Sequence, residues 1–366
     1  MPRRSRAEDA IASRRKSRGG CAKYLHSPGT IAFFGLLFLL AGSYFFWRAL
    51  TSPYKGFTQP VKLVEVHKGL RTSTILRHLQ QEGIVRDEYV PLVYMKLVRR
   101  GDSLKAGVYE FSKPLSAADV LDKLVRGDVI FKSVTIREGL DRFAVGRLFA
   151  ADGLGKVDEW DKATADPELI RDLAPDAKSL EGYLFPDTYK FSPGTPVKTI
   201  VTAMVANFRK HFGPEMAFIT SGLDAHQTVT LASIVETEAQ RPEERPLVAS
   251  VYLNRLRKHM LLDADPTVIY ALKLAHRWDG NIHKADLQID SPYNTYRFPN
   301  LPPGPIANAG LASLRAAAAP AKSDFLYFVA RHDGSHAFAT NINDHNRNVQ
   351  IYQVEWYRKQ RQAAAK

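Results

Sequence analysis

The residues best suited to acid–base chemistry lie in the C-terminal part of the chain. In HQTVTLASIVETEAQ (His226–Gln240), Glu236 and Glu238 stand near the end of an apolar run that ends before Pro242. A helix turning about 100° per residue puts Val229, Ala232 and Ser233 on the same face as Glu236. Leu231, Ile234 and Val235 then form a core stripe toward the other side. Glu236 therefore projects from a face of small residues, where a bulky ligand could approach. Glu238 lies roughly 200° further round, so the two carboxylates are not an adjacent pair on this helix. On residue type alone, a solvated helix glutamate is the simpler reading of Glu236 and a positioned acid is the sharper one.

Further carboxylates sit in unusual company. EGYLFPDTYKF (Glu181–Phe191) mixes aromatic rings with Glu181 and Asp187 around a proline, and either closes a core or lines a groove. DADPTVIYAL (Asp263–Leu272) places two aspartates at a Pro-Thr turn into a helix. SPYNTYRFPNLPPGPIANAG (Ser291–Gly310) is loop-like but rich in rings and amides. Carbohydrate sites use this mixture, because sugar C–H faces stack on rings while hydroxyls need polar partners. His332 and His336 have metal-like spacing, but the intervening Asp333-Gly334 breaks any helix that would align them. The chain has no GxxxxGK[ST] phosphate loop, HExxH or GxSxG. Its one cysteine, Cys21, excludes an internal disulfide framework and a Cys-based zinc site.

The elements that must position these residues can be read from periodicity. Helices are expected at Glu243–Met260 and from the Asp263–Leu272 segment, with a hairpin of Phe325–Ala330 and Ala337–Thr340. Upstream, Val61–Val66, Ala106–Phe111 and Val129–Ile136 read as strands. Ser73–Gly83, Asp87–Gly101, Ser116–Gly127 and Asp141–Gly153 read as helices, the third with Ser116 as its N-cap and a terminal glycine. This upstream region suggests no chemistry. The expected class is α+β.

The chain has 366 residues, room for two or three domains, and its 45% hydrophobic and 24% charged residues exclude wholesale disorder. Its net charge of +13 is concentrated at the start. The first 23 residues hold eight basic and two acidic side chains, leaving +7 for the other 343. That leaves little case for nucleic-acid binding. No charged residue occurs between Lys23 and Arg48, and Thr30–Trp47 is almost wholly apolar. As a helix it would rise roughly 27 Å, about the thickness of a bilayer core. The positive-inside rule then puts Met1–Lys23 in the cytoplasm and everything after Leu50 outside it.

The order of motifs is more telling than any one of them. EGYLFPDTY, LASIVETE, VYLNRL, DPTVIYAL, SPYNTY, LPPGPI and finally LYFVA with its following His, Phe and His-Asn closely resemble the YceG-like family of endolytic murein transglycosylases. The resemblance implies a basic cytoplasmic tail (1–23), a transmembrane anchor (24–50) and a linker (51–60). A small LysM-like α/β region (61–153), a catalytic domain (154–360) and a short tail (361–366) follow. It implies cleavage of the β-1,4 bond between N-acetylmuramic acid and N-acetylglucosamine, leaving a 1,6-anhydro end and terminating nascent glycan strands. It makes Glu236 the catalytic acid, in an apolar setting that keeps it protonated, with no metal or other cofactor. Tyr183, Asp187, Tyr189, Asn254, Asp265, Thr267, Tyr293, Asn294, Tyr296, His336 and Asn346 are the expected substrate contacts. The implied partners are glycan strands, peptidoglycan synthases and the inner membrane, with the catalytic domain in the periplasm. Two rivals stay open. One is a hydrolytic muramidase pairing Glu236 with Asp187, Asp263 or Asp265; the other is a non-catalytic wall-binding scaffold.

Overall fold

The uncharged N-terminal run has no polar face, and it forms one long helix, α1 (Pro28–Thr51), whose apolar side chains are largely exposed. Its Gly29–Thr51 stretch is long and apolar enough to cross a membrane. The computed structural model describes residues 28–364, so the basic tail and Cys21 lie outside the described residues. The chain divides after Ile130 into two units, each with its own core.

In the first unit, β1 (Lys62–Val66) is followed by α2 (Thr72–Gln81), α3 (Tyr89–Leu97), β2 (Gly107–Phe111) and α4 (Ala117–Arg126). β1 and β2 pair antiparallel, from Lys62 opposite Phe111 to Val66 opposite Gly107. Ile75, Leu76 and Leu79 of α2 and Val120, Leu121 and Leu124 of α4 bury their stripes against Val64, Tyr109 and Phe111. The start of α4 has the expected chemistry: Ser116 Oγ accepts from the Asp119 amide, and the Asp119 carboxylate accepts from the Ser116 amide. The 51–60 segment is more than a linker. Phe57 is buried, and Tyr54 pairs its backbone with Leu115.

The second unit holds β3 (Lys132–Thr135), α5 (Arg142–Ala151), α6 (Val157–Ala165), β4 (Thr188–Phe191), α7 (Val197–Phe212) and α8 (Ala225–Glu238). It continues through α9 (Arg245–Arg257), α10 (Asp265–Leu274), α11 (Leu311–Ala318), β5 (Tyr327–Ala330), β6 (His336–Ala339), α12 (Ile342–Val349) and α13 (Trp356–Ala364). Its strands form two separate antiparallel ribbons, β3–β4 and β5–β6, among the helices. The fold mixes helix and strand as expected.

The domain boundary expected at residue 153 moves to residue 130, and strand pairing is the reason. The single strand expected over Val129–Ile136 is divided: the Ile130 amide bonds to Val108 of β2, whereas Lys132–Thr135 pair with Thr188–Phe191. Once β3 is committed to β4, α5 buries Val145 and Phe149 in the larger core, where Phe149 stacks on Trp160 at 4.5 Å. The expected tail at 361–366 is also revised, since α13 runs through Ala364.

Candidate active site

Glu236 sits in the last turn of α8, whose start is set by Asp224 and Gln227 capping each other's backbone amides. Every residue from Thr228 to Val235 is buried. The face of small residues is therefore closed to ligand. Pro305 and Gly182 pack at Val229, and Ser233 Oγ accepts from the Ile306 amide at 3.0 Å. A ligand can approach only at the C-terminal end of α8, around Glu236 itself.

The Glu236 carboxylate has two donors. Arg245, at the first position of α9, donates to one oxygen at 2.8 Å. The backbone N–H of Gly310, which caps α11, donates to the other at 2.9 Å. The Glu236 side chain is only 5% exposed and that of Arg245 11%. Arg245 also lies 3.6 Å from Glu138, whose side chain is about half exposed at 48%. Burial and the negative charge of Glu236 raise the pKa of Glu138, with Arg245 opposing them. The expected apolar setting is thus replaced by a guanidinium shared between two carboxylates. Gly310 lets Glu138 lie against this turn, because a Cβ there would fall 1.7 Å from a Glu138 oxygen and push that side chain aside. Gly139 leaves room on the other side, where a Cβ would stand 3.8 Å from Glu236 Cγ.

Asn308 holds the loops that deliver these groups. It is fully buried. Its carbonyl accepts from the Gly139 amide, its own amide N–H and side-chain Nδ2 both donate to the Leu140 carbonyl, and its Oδ1 accepts from the Leu184 amide. Nδ2 also reaches Glu181 at 3.2 Å. A buried amide with every group satisfied is a strong positional constraint. Here it joins the Glu138 turn, the Glu181–Leu184 segment and the loop before α11. Asp141 continues the brace by capping α5 through the Ala144 amide and pairing with Lys273 at 2.6 Å.

Glu181 is a different kind of carboxyl. It is fully buried, takes the Arg142 amide N–H on both oxygens at 3.0 Å, and accepts further bonds from Asn308 and Tyr270. Burial is the main cause that pushes its pKa up to about 8. Glu238, on the far side of α8 from Glu236, is raised to about 7 by burial and by the charge of Asp265, with a bond from Tyr252 opposing.

The family pattern described as the YceG-like family matches residues 64–351. The chain belongs to that family. This YceG-like chain is 30% identical over 333 residues to the endolytic murein transglycosylase of Bacillus subtilis, covering 86% of this chain and 91% of that protein. It is 33% identical over 351 residues to the endolytic murein transglycosylase of Streptococcus pneumoniae D39, covering 86% of this chain but 63% of that longer protein. Among solved structures, a YceG-like protein from Listeria monocytogenes superposes with a TM-score of 0.54 at 32% identity. That match covers 79% of this chain and 99% of that one.

Several expected substrate contacts of this YceG-like chain are spent on the fold. Asn294 is fully buried and donates both amide hydrogens to the carbonyls of Leu287 and Ile289. Thr267 is fully buried between Ala264 and Thr295. Tyr183 is buried with its hydroxyl 2.7 Å from His226 Nδ1, and His226 Nε2 faces the Pro303 carbonyl at 3.1 Å. A carbonyl can only accept, so Nε2 carries the hydrogen and Nδ1 accepts from the tyrosine. Tyr189 is buried and donates to Phe185. His336 is buried against Glu244 at 2.7 Å, tying β6 to the start of α9. Asn254 donates to the carbonyls of Ser323 and Phe325 beside a separate polar cavity of about 550 Å³. Asp265 receives the Tyr296 hydroxyl at 2.6 Å, Tyr293 lies half-buried against Tyr270, and Asp187 holds Asn207. Asp187, Asp265 and Asn346 are exposed.

Sequence reasoning missed Glu138, Arg245, Asn308 and Gly310. Glu138 lay in a region read as free of chemistry, and its one signal is Arg-Glu-Gly at the end of a strand. Arg245 carries a weaker one, a basic residue nine positions after Glu236.

Proposed function

We propose that this chain is a membrane-anchored lytic transglycosylase that cleaves within peptidoglycan glycan strands, with Glu236 as its catalytic residue. The observation that carries the reading is the largely buried Glu236 carboxylate, oriented by Arg245 and the Gly310 N–H beside the half-open Glu138. The names of the Bacillus and Streptococcus relatives support the same reading.

In this mechanism Glu236 delivers its proton to the glycosidic oxygen as the C1–O4 bond of N-acetylmuramic acid breaks. As a carboxylate it then takes the proton of that sugar's own 6-hydroxyl, whose oxygen bonds to C1. The proton lost in the first step is regained in the second, and no water is consumed. Arg245 holds the carboxylate in place through both steps, and its positive charge offsets the anionic intermediate state. Glu138 is the neighbouring carboxyl that shares Arg245. The partner carboxylates considered for a hydrolase are engaged elsewhere: Asp263 pairs with Arg255 at 2.9 Å, Asp265 with Tyr296 and Asp187 with Asn207.

We assign residues 131–360 to catalysis and residues 61–130 to a LysM-like module that guides glycan, a reading supported by its strand–helix–helix–strand order. α1 is read as a single span of the inner membrane with its N-terminus cytoplasmic and the catalytic unit periplasmic, beside the synthases whose strands it would terminate. Digestion of glycan strands in heavy-oxygen water tests the chemistry. The expected product ends are lighter by one water than hydrolytic ends and carry no heavy oxygen. Heavy oxygen at the new end would make the enzyme a hydrolase.

A further inference from the structure

We infer that α3 of the first unit is a membrane-seated helix, with its apolar stripe in the lipid leaflet beside α1. The inference rests on the reading of α1 as a membrane span. Tyr89, Val93 and Leu97 recur every four residues on one side of α3, and with Val98 they are 40–68% exposed. The opposite side of the helix buries Pro91 and Met95 in the protein. An outward apolar stripe on a short helix needs an occupant, and the occupant here is specified by what lies next to it.

Val93 and Leu97 form one wall of a cleft of about 470 Å³, and Phe38, Gly42, Phe46 and Trp47 of α1 form the other. From Trp47 back to Phe38 a helix rises roughly 13 Å, so this wall lies well inside the length that must be in hydrocarbon. Whatever surrounds Phe38 and Gly42 therefore also meets Leu97. The two helices are held in this relation by the unit itself: Leu50 at the end of α1 is buried, the Ser52 amide bonds to the Arg48 carbonyl, and Tyr54 pairs with Leu115. Lys96 and Arg100, at the C-terminal end of the stripe, are exposed, and their long side chains can reach up to anionic lipid headgroups. Apolar side chains dip into acyl chains, the basic pair stays at the headgroups, and acyl tails fill the cleft.

The test uses the full chain in liposomes of phosphatidylcholine and phosphatidylglycerol, with Cys21→Ser as background. A fluorescent thiol probe is placed in turn at Gly42→Cys, Leu97→Cys and Glu65→Cys. Gly42 has open space for a side chain, and Leu97 and Glu65 are exposed, so none of these changes disturbs the fold. Nitroxide-bearing lipids should quench the Gly42 and Leu97 probes several-fold more than the Glu65 probe. Aqueous iodide should give the reverse order. A Leu97 probe that behaves like the Glu65 probe, while Gly42 stays in lipid, overturns the inference alone; this is also the result if a protein helix fills the cleft. A Gly42 probe open to iodide overturns the membrane-span reading, and this inference with it.

Discussion

Glu236 and Glu181 both contact the loop that precedes α11, yet their surroundings differ in kind. Glu236 faces a guanidinium, a backbone N–H and a second, half-open carboxylate. Glu181 faces only neutral donors and is sealed from solvent, with its pKa pushed up to about 8 by burial. A carboxyl enclosed by neutral donors keeps a proton and serves as a fixed strut. One beside a shared arginine and an opening can pass its proton to a ligand and take it back. Burial alone therefore does not single out Glu236 for the role proposed above. The counter-charge and the open neighbour do.

The largest effect should come from Glu236→Gln, which preserves shape while removing the transferable proton. One positioned acid–base group contributes roughly 10²–10⁴-fold. Because the same group serves both steps, glycan cleavage should fall at least that far with the melting temperature unchanged. If Glu181→Gln caused the same loss with an intact fold, the assignment of roles to the two carboxyls would be reversed.

A smaller effect is expected for Glu138→Gln. The change takes the second carboxylate off Arg245 and leaves the guanidinium to Glu236 alone, so it disturbs positioning without removing the transferable proton. Cleavage should fall by less than for Glu236→Gln, through kcat rather than KM, with the melting temperature unchanged. A parallel fall in melting temperature would make Glu138 a structural residue.

The smallest effect concerns stability. Glu181 binds its proton more tightly in the folded state, at about 8, than at its ordinary 4.5 in the unfolded chain. Stability from this group is complete below 4.5 and is lost as pH rises through 8. Glu238, raised to about 7, acts in the same direction. Melting temperature should therefore decline from about pH 5 to about pH 8, and Glu181→Gln should flatten the decline. An unchanged slope in that variant would mean that Glu181 does not hold its proton in the folded chain.

Much of the local structure was legible in the residues. The capped α4, the β5–β6 hairpin with Ala330 opposite His336, and the long apolar helix followed from short-range chemistry: a side chain reaching its own backbone, a Gly-containing turn, a run without a charge. Glu236 is singled out only by motif order, since its local pattern also suits a solvated glutamate. Its setting was misjudged. Helix α8 was read as one-sided, but Val229, Ala232 and Ser233 are all buried, because small apolar residues on a helix show nothing of which neighbour will cover them.

What the sequence determined by itself was therefore the elements and one candidate acid. The tertiary structure decided which groups meet that acid. Val134 suits a strand whatever its partner, and only the pairing with Tyr189, 55 positions away, brings the turn carrying Glu138 into the larger unit. Arg245, Gly310 and Asn308 reach the same place from separate loops through contacts spanning 9 to 168 positions. Periodicity records how a segment presents its faces. It does not record which distant segment each face will meet, and the site is made of such meetings.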